Sequence, residues 1–123
     1  MKLTEIHKDK RGEILSVTGL KKFEEITIFT TKATYARGGC IHKKNSEHLC
    51  VVEGKINYVY EVYQHSKILK AGQSITISPN TPHYFIALED SVVLEWGATA
   101  KEKKEKYLKF REIVEKINEK NKS

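Results

Sequence analysis

At 123 residues, 39% hydrophobic and 31% charged, the chain is long enough to bury one hydrophobic core and too short for two. No run approaches the ~20 apolar residues needed to cross a bilayer, and the Lys-bearing N-terminus lacks the apolar centre and cleavage site of a secretory leader, so a cytosolic protein without a membrane partner is expected. The net charge of +6 sits mostly at one end, where residues 101–123 carry eight Lys and one Arg against five Glu; without interleaved exposed aromatics or a helix-turn-helix partner this reads as a solvated face, and nucleic acid is not an expected ligand.

Taken from the N-terminus, residues 1–6 are expected to form a short strand, and Asp9-Lys10-Arg11-Gly12 a turn into the strand Glu13-Ile14-Leu15-Ser16-Val17. Residues 23–30 alternate apolar and polar, which predicts a half-buried strand with Phe23, Ile26, Ile28 and Thr30 facing inward. Thr34-Tyr35-Ala36-Arg37 then leads into a stretch rich in ligand-type side chains, and residues 66–69 and 73–77 read as further short strands. Residues 83–87 and 91–96 are expected to pair as a hairpin over Leu88-Glu89-Asp90, with Trp96 in the core. Many short strands with Gly and Pro confined to turns predict an all-β fold, an antiparallel sandwich or jelly-roll barrel over residues 1–100. From residue 101 the texture changes: Tyr107, Phe110, Val114 and Ile117 recur at three- and four-residue steps, predicting an amphipathic helix over 101–123 that packs on the barrel or on a partner subunit. Exposed sheet edges and that apolar helix stripe argue for a homodimer.

The chemistry concentrates between Gly38 and Gly54. In a strand, alternate side chains share a face, so Cys40 and His42 project together while Ile41 points away. Glu47 follows His42 by an odd interval, but Lys44-Asn45-Ser46 is polar turn material able to reset the register. Glu53-Gly54 then looks like a hairpin between two apolar strands. A thiol, an imidazole and a carboxylate are thereby brought together. Both Cys40 and Cys50 are expected to be free thiols, since cytosolic disulfides are rare.

Cys40-x-His42, four residues, Glu47, six residues, Gly54 resembles the first motif of the cupin superfamily, with Cys40 where the family usually has His. Gly72 through Pro82-His83 resembles the second motif, although Ala87 stands where an Asn often follows. The resemblance implies a jelly-roll barrel whose divalent metal is held by Cys40, His42, Glu47 and His83. A mixed N, O and S donor set favours zinc, with iron, nickel or manganese as other candidates. Without a metal, His42 beside Glu47 is a general base with its orienter.

Asp9-x-Arg11-Gly12 and Arg37-Gly38-Gly39 also resemble the cupins that isomerise or epimerise nucleotide-linked 4-keto sugars. That likeness implies His42 as the catalytic base and Arg37 as the contact to the substrate's diphosphate, with Tyr35 and Tyr58 on flanking strands lining the cavity; the bland alternative makes Arg11 and Arg37 surface cations. Glu47 stands where the ketoisomerases usually bear Gln, which leans toward the metal-dependent epimerases. Two function classes follow. One is an enzyme that moves a proton next to a sugar carbonyl; the other is a non-catalytic or regulatory cupin that uses the metal site to bind a small molecule.

Overall fold

The structure is a computed structural model and describes residues 1–98 and 104–121. Two antiparallel sheets face each other. The six-stranded sheet runs in the order β1 (Lys2–Asp9), β2 (Gly12–Thr18), β3 (Glu25–Thr31), β10 (Ser91–Trp96), β5 (Glu47–Glu53), β8 (Ser74–Ile77). The five-stranded sheet runs β11 (Lys104–Lys106), β4 (Ala36–His42), β9 (His83–Ala87), β6 (Lys55–Tyr60), β7 (His65–Lys70). A single helix, α1 (Leu108–Lys120), follows. The all-β sandwich expected from strand spacing is therefore the observed fold.

The inner faces supply the core. Leu49, Val51, Ile77 and Val93 from the larger sheet meet Ile56, Tyr58, Leu69 and Phe85 from the smaller one, all nearly or wholly removed from water. The period-2 alternation of each strand makes this possible, because one set of side chains per strand points inward. On β3 the inward set is opposite to the expected one. Phe29 packs on the core and Thr31 is buried, whereas Phe23 is exposed and stands edge-to-face with Trp96. Ile26 and Ile28 make the outer face the more apolar one, but Phe29 carries a large ring on the other, and that ring is what the core takes. Trp96 follows the same logic: Val93 and Glu95 face inward, and Trp96 lies on the outer face stacked on His48 at 5.5 Å.

Two expected hairpins turn out to be crossings between sheets. Glu53-Gly54 carries the chain from β5 in the larger sheet to β6 in the smaller, and residues 88–90 carry it back from β9 to β10. Gly54 has φ +86° and lies so close to the carbonyl of Asp90 that a Cβ would come within 2.4 Å of it, so the two corners are packed together. Turn chemistry marks where a chain reverses; it does not say whether the flanking strands pair.

The helix begins at Leu108 rather than near 101. Lys104–Lys106 instead pairs with β4, and residues 99–103 lie outside the described residues. Lys104-Glu105-Lys106 has no apolar side chain to bury, while the β4 edge offers unpaired backbone groups that a short strand satisfies. Tyr107 ends that strand by donating its N–H to the carbonyl of Gly39 at 2.8 Å. The apolar stripe then packs on the outer face of the smaller sheet, where Phe110 and Val114 join Ala36, Val59 and Tyr84. Phe110 sits edge-on to Tyr84 at 4.9 Å. The stripe is thus satisfied by its own barrel.

Phe110→Ala should remove about 3–5 kcal/mol from the unfolding free energy, because the ring is wholly buried and a cavity would remain. Leu108→Ala, at a position 72% exposed, should change it by less than ~0.5 kcal/mol. Urea denaturation of the two variants beside the unaltered protein checks the contrast, and equal effects would contradict the packing.

Candidate functional site

The site is built at one end of the sandwich from four strands of both sheets. β4 brings Arg37, Cys40 and His42, and β9 brings His83; across the gap β5 brings Glu47 and β10 brings Glu95. Strict alternation would put Arg37 on the face opposite Cys40 and His42. The register of β4 against β9 shifts between Gly38 and Cys40, and this bulge places all three on the inner face. It requires glycine twice, since Gly38 and Gly39 have φ +112° and +98°; a Cβ at Gly38 would meet the Tyr84 backbone at 2.9 Å. After His42 the polar turn is a change of sheet, which is how Glu47 comes to face the histidine it follows by an odd interval. Asn80 donates its N–H to the His42 carbonyl at 2.8 Å and fixes the loop before His83 against this corner.

At the centre, Glu47 Oε2 lies 3.1 Å from His42 Nε2 and 2.9 Å from His83 Nε2. These contacts are short but poorly directed as hydrogen bonds, and Oε2 has no aligned donor although it is sealed from water. The donor atoms of His42, Glu47 and His83 all lie within 4.8 Å of one another. His83 Nδ1 is 2.9 Å from the carbonyl of Thr81; donating there leaves Nε2 as the acceptor nitrogen, the orientation a metal-ligating imidazole needs. Two imidazoles and a carboxylate converging on one point form a donor set suited to a divalent transition metal, and the residues fit that group. Cys40 lines the same cavity, but the convergent donor set is the other three. Both cysteines are free.

Glu95 is the residue that the sequence reading missed. Glu95 is half-buried, lines the cavity and is hydrogen-bonded through its carboxyl group to Glu47. Burial, the Glu47 charge and that hydrogen bond hold its proton affinity well above the ordinary carboxylate range, so Glu95 is the protonated partner. For Glu47 burial acts in the same direction, yet the hydrogen bond from Glu95 and the nearby His42 and His83 outweigh it and hold the carboxyl well below that range. Burial alone would depress His83, but Glu47 raises it above 6.5. Glu47 is thus the charged carboxylate of the cluster, favoured by the Glu95 carboxylic acid and by His83, whose hold on its own proton it strengthens in return. An inward-facing Glu between Val93 and Trp96 in an otherwise apolar strand was the available signal.

The cavity at this cluster measures about 210 Å³, and its wall is cationic, with Arg11, Arg37, Lys104 and Arg111 among the lining residues. Arg37 is only 3% exposed and is not a surface cation. It donates from Nε to Thr31 Oγ1 and from Nη2 to the Thr30 carbonyl, both at 2.9 Å, and sits 5.7 Å from the centre of the Phe29 ring. Its Nη1 is buried and has no hydrogen-bond partner among the described residues. Burial, and then the neighbouring Arg11, lower its proton affinity to about 10, so it stays charged at neutral pH. Arg11 is clamped by Asp9, with Nε and Nη2 at 2.9 and 2.8 Å from one carboxylate oxygen. Of the tyrosines, Tyr35 lines a neighbouring cleft of about 620 Å³, whereas Tyr58 is wholly buried behind His83, its ring stacked on the imidazole at 6.1 Å. Tyr58 supports the cluster from within the core.

Comparison with known proteins agrees with this geometry. The profile of the family described as "Cupin domain" matches residues 36–97. No curated protein matches the sequence. Among solved structures, the fold is similar to the capsular polysaccharide assembling protein CapF from Staphylococcus aureus, with TM-score 0.70 and 16% identity over 85% of this chain and 32% of that one. It is similar to the dTDP-4-dehydrorhamnose 3,5-epimerase from Sulfolobus tokodaii, with TM-score 0.58 and 20% identity over 79% and 68%. It is also similar to the oxalate decarboxylase from Lactobacillus farciminis, with TM-score 0.71 and 16% identity over 88% and 34%. The chain spans about a third of the length of the CapF chain, and at these identities the likeness is one of fold.

The charge pattern has a pH signature in metal-free protein. His83 is raised, so its contribution is complete below 6.5 and is lost as pH climbs through its folded value. Glu95 keeps a proton that the unfolded chain releases above 4.5, which lowers stability progressively with rising pH. Glu47 is depressed, and its contribution is lost only on acidification below 4.5. Unfolding free energy should therefore fall by up to roughly 1.4 kcal/mol per pH unit for each retained proton. Between 4.5 and 6.5 the fall should be shallower in Glu95→Gln than in the unaltered protein. Coincident slopes in chemical denaturation across that range would show that Glu95 holds no such proton.

Proposed function

The chain belongs to the cupin domain family, and from that premise we propose that it is a metal-dependent enzyme that moves a proton next to the carbonyl of a nucleotide-linked keto sugar. The observation that carries this reading is the placement of the His42, Glu47 and His83 donors at the base of a cavity with a cationic wall. Donors alone would suit many cupins. A buried guanidinium without a counter-ion is costly, and an anionic ligand offsets that cost. Among the described residues Arg37 forms no salt bridge and its Nη1 has no hydrogen-bond partner, with Asp9 and Glu95 acting on it only at a distance, and the named activity of the Sulfolobus tokodaii neighbour supports a sugar-diphosphate substrate for it.

In this reading His42, Glu47 and His83 hold the metal through Nε2, a carboxylate oxygen and Nε2, with Cys40 beside them as a fourth donor. When bound, the metal supplies Lewis-acid polarisation of the substrate carbonyl. Zinc is favoured if the Cys40 thiolate joins, and iron, nickel or manganese if it does not. His42 Nε2 faces Glu47 and its Nδ1 is buried, which suits a ligand better than a free base. With a metal bound beside it, the added positive charge would favour the ionised form of Glu95, and in that form Glu95 is the cavity carboxylate that would take the proton from the carbon next to the carbonyl and return it. If the protein works without metal, His42 takes the part of base with Glu47 as orienter. The competing reading is a non-catalytic or regulatory cupin that binds a small molecule at the same donors.

The chain further reads as a cytosolic homodimer. The outer face of the larger sheet presents Leu15, Ile26, Ile28, Leu94 and Trp96 half-buried, bordered by Leu3 and Val52 at 59% and 51% exposure. A face of this kind is suited to an isologous contact. Ile28→Lys should convert a dimer to a monomer in size-exclusion chromatography with light scattering, and a monomeric mass for the unaltered protein would end the proposal.

The chemical step is tested by incubating metal-loaded protein with dTDP-4-dehydro sugars in deuterium oxide. Deuterium should enter the carbon next to the carbonyl, and Glu95→Gln should slow its entry at least ~100-fold while retaining the metal. Binding without exchange would favour the non-catalytic reading. Elemental analysis of Cys40→Ser decides the thiol: a sharp loss of zinc is expected, and unchanged metal together with loss in His42→Ala would make the thiol a bystander.

A further inference from the structure

The family match ends at residue 97, yet the cavity wall does not. Lys104 from β11 and Arg111 from α1 both line the chamber that holds the histidines. Arg111 also lines the adjoining cleft of about 620 Å³, which runs between the β1–β2 turn and α1, and Arg11 is common to both spaces. The two arginines therefore lie on the wall that both spaces share. Arg111 is fixed there by donating from Nη1 to the carbonyl of Gly38 at 2.7 Å, and its stem and backbone lie against Gly39, where a Cβ would come within 2.7 Å of Arg111 Cδ. The same glycine pair that turns Arg37, Cys40 and His42 inward is what lets the helix approach closely enough to place this guanidinium.

We infer that the C-terminal β11–α1 segment is part of the ligand site, and that Arg111 with Arg11 grips the diphosphate of a nucleotide-linked substrate at the wall the two cavities share. This rests on the nucleotide-sugar reading above and assigns it a second half. The inner chamber, about 210 Å³, is below the ~300 Å³ at which sites for drug-sized ligands begin, so it holds a sugar ring and not a whole sugar nucleotide. The remainder must extend past these arginines into the larger cleft, where Tyr35 offers an aromatic ring. The charge pattern agrees with an anion at that point. Arg37 has a buried Nη1 with no hydrogen-bond partner among the described residues, and Arg11 is near enough to depress its proton affinity. The nearest compensation for Arg111 on its own helix is Glu115, at 3.6 Å and largely exposed. Asp9 answers Arg11 at 2.8 Å, but no carboxylate among the described residues forms a salt bridge with Arg37, so the wall keeps excess positive charge that a multiply charged anion would balance, and planar guanidinium forks match phosphate oxygens.

The test is isothermal titration of the metal-loaded full chain with dTDP, UDP and inorganic pyrophosphate, using the unaltered protein, Arg111→Met and Arg111→Lys. Arg111→Met keeps the aliphatic stem over Gly39 and removes the charge; Arg111→Lys keeps the charge and guards against a folding defect. Arg111→Met should weaken both nucleotides and pyrophosphate on the order of 10- to 100-fold, with partial recovery in Arg111→Lys and unchanged metal content. Tyr35→Ala should weaken the nucleotides about tenfold and leave pyrophosphate unaffected, since only the nucleoside would meet the ring. Equal affinities for the unaltered protein and Arg111→Met would overturn the role of the helix and leave the nucleotide reading standing. Metal-loaded protein that takes up neither nucleotides nor pyrophosphate would overturn both.

Discussion

The contact on which the rest of this structure depends is the one between Glu47 and its three neighbours. A carboxylate on β5 of the larger sheet faces two imidazoles on β4 and β9 of the smaller sheet, and a carboxylic acid on β10 supplies it with a proton donor. An isolated carboxylate taken out of water is expensive, and it persists here because each sheet contributes part of its compensation. The cluster therefore ties the two sheets together at their polar end as the apolar core ties them at the other. It also places the donor atoms of His42, Glu47 and His83 where a cation would find them together, and protons would compete with that cation for the same atoms.

A small backbone irregularity makes that arrangement compatible with an anion-facing wall. Without the bulge at Gly38-Gly39, Arg37 would point away from the chamber that His42 lines. With it, Arg37 sits in the chamber, and the glycines leave room for Tyr84 on one side and Arg111 on the other. Close backbone approach and side-chain direction are thus set by the same residues. The helix is anchored by Phe110 and Val114 on the outside of the sheet, and one turn of it reaches around the edge to the site. Packing on the outer face and chemistry at the inner one are coupled through a single strand.

The three histidines outside the cluster show how position, and not residue type, selects function. His48 stacks on Trp96 on the outer face, His65 is exposed beside Glu61, and His7 pairs with Asp9 at the edge. Each has a neighbour, but none faces a second convergent donor. His83, by contrast, has its Nδ1 against the Thr81 carbonyl, its face against Tyr58 and its Nε2 on Glu47, so burial and hydrogen bonding leave it one orientation.

By itself the sequence determined the fold class, the order of the strands and the closing helix, because these follow from short-range alternation, while the grouping of His42, Glu47 and His83 was legible only through the likeness of their stretches to the cupin motifs. It did not determine which strands pair. Glu53-Gly54 and Leu88-Glu89-Asp90 carry the chemistry of hairpin turns, but each joins strands of different sheets, and the partner of a strand is chosen by side chains distant in sequence. Nor did it determine the inward face of β3, where the more apolar face of Ile26 and Ile28 is the outer one, or the start of α1, where an unpaired β4 edge captured Lys104–Lys106. The site shows the same division. Motif spacing made the His42, Glu47 and His83 donors legible, whereas Glu95, Lys104 and Arg111 reach the cavity from strands and a helix that only the packed sandwich brings to it. A period in the sequence reports which way a side chain leaves the backbone; what it meets there is decided by the tertiary structure.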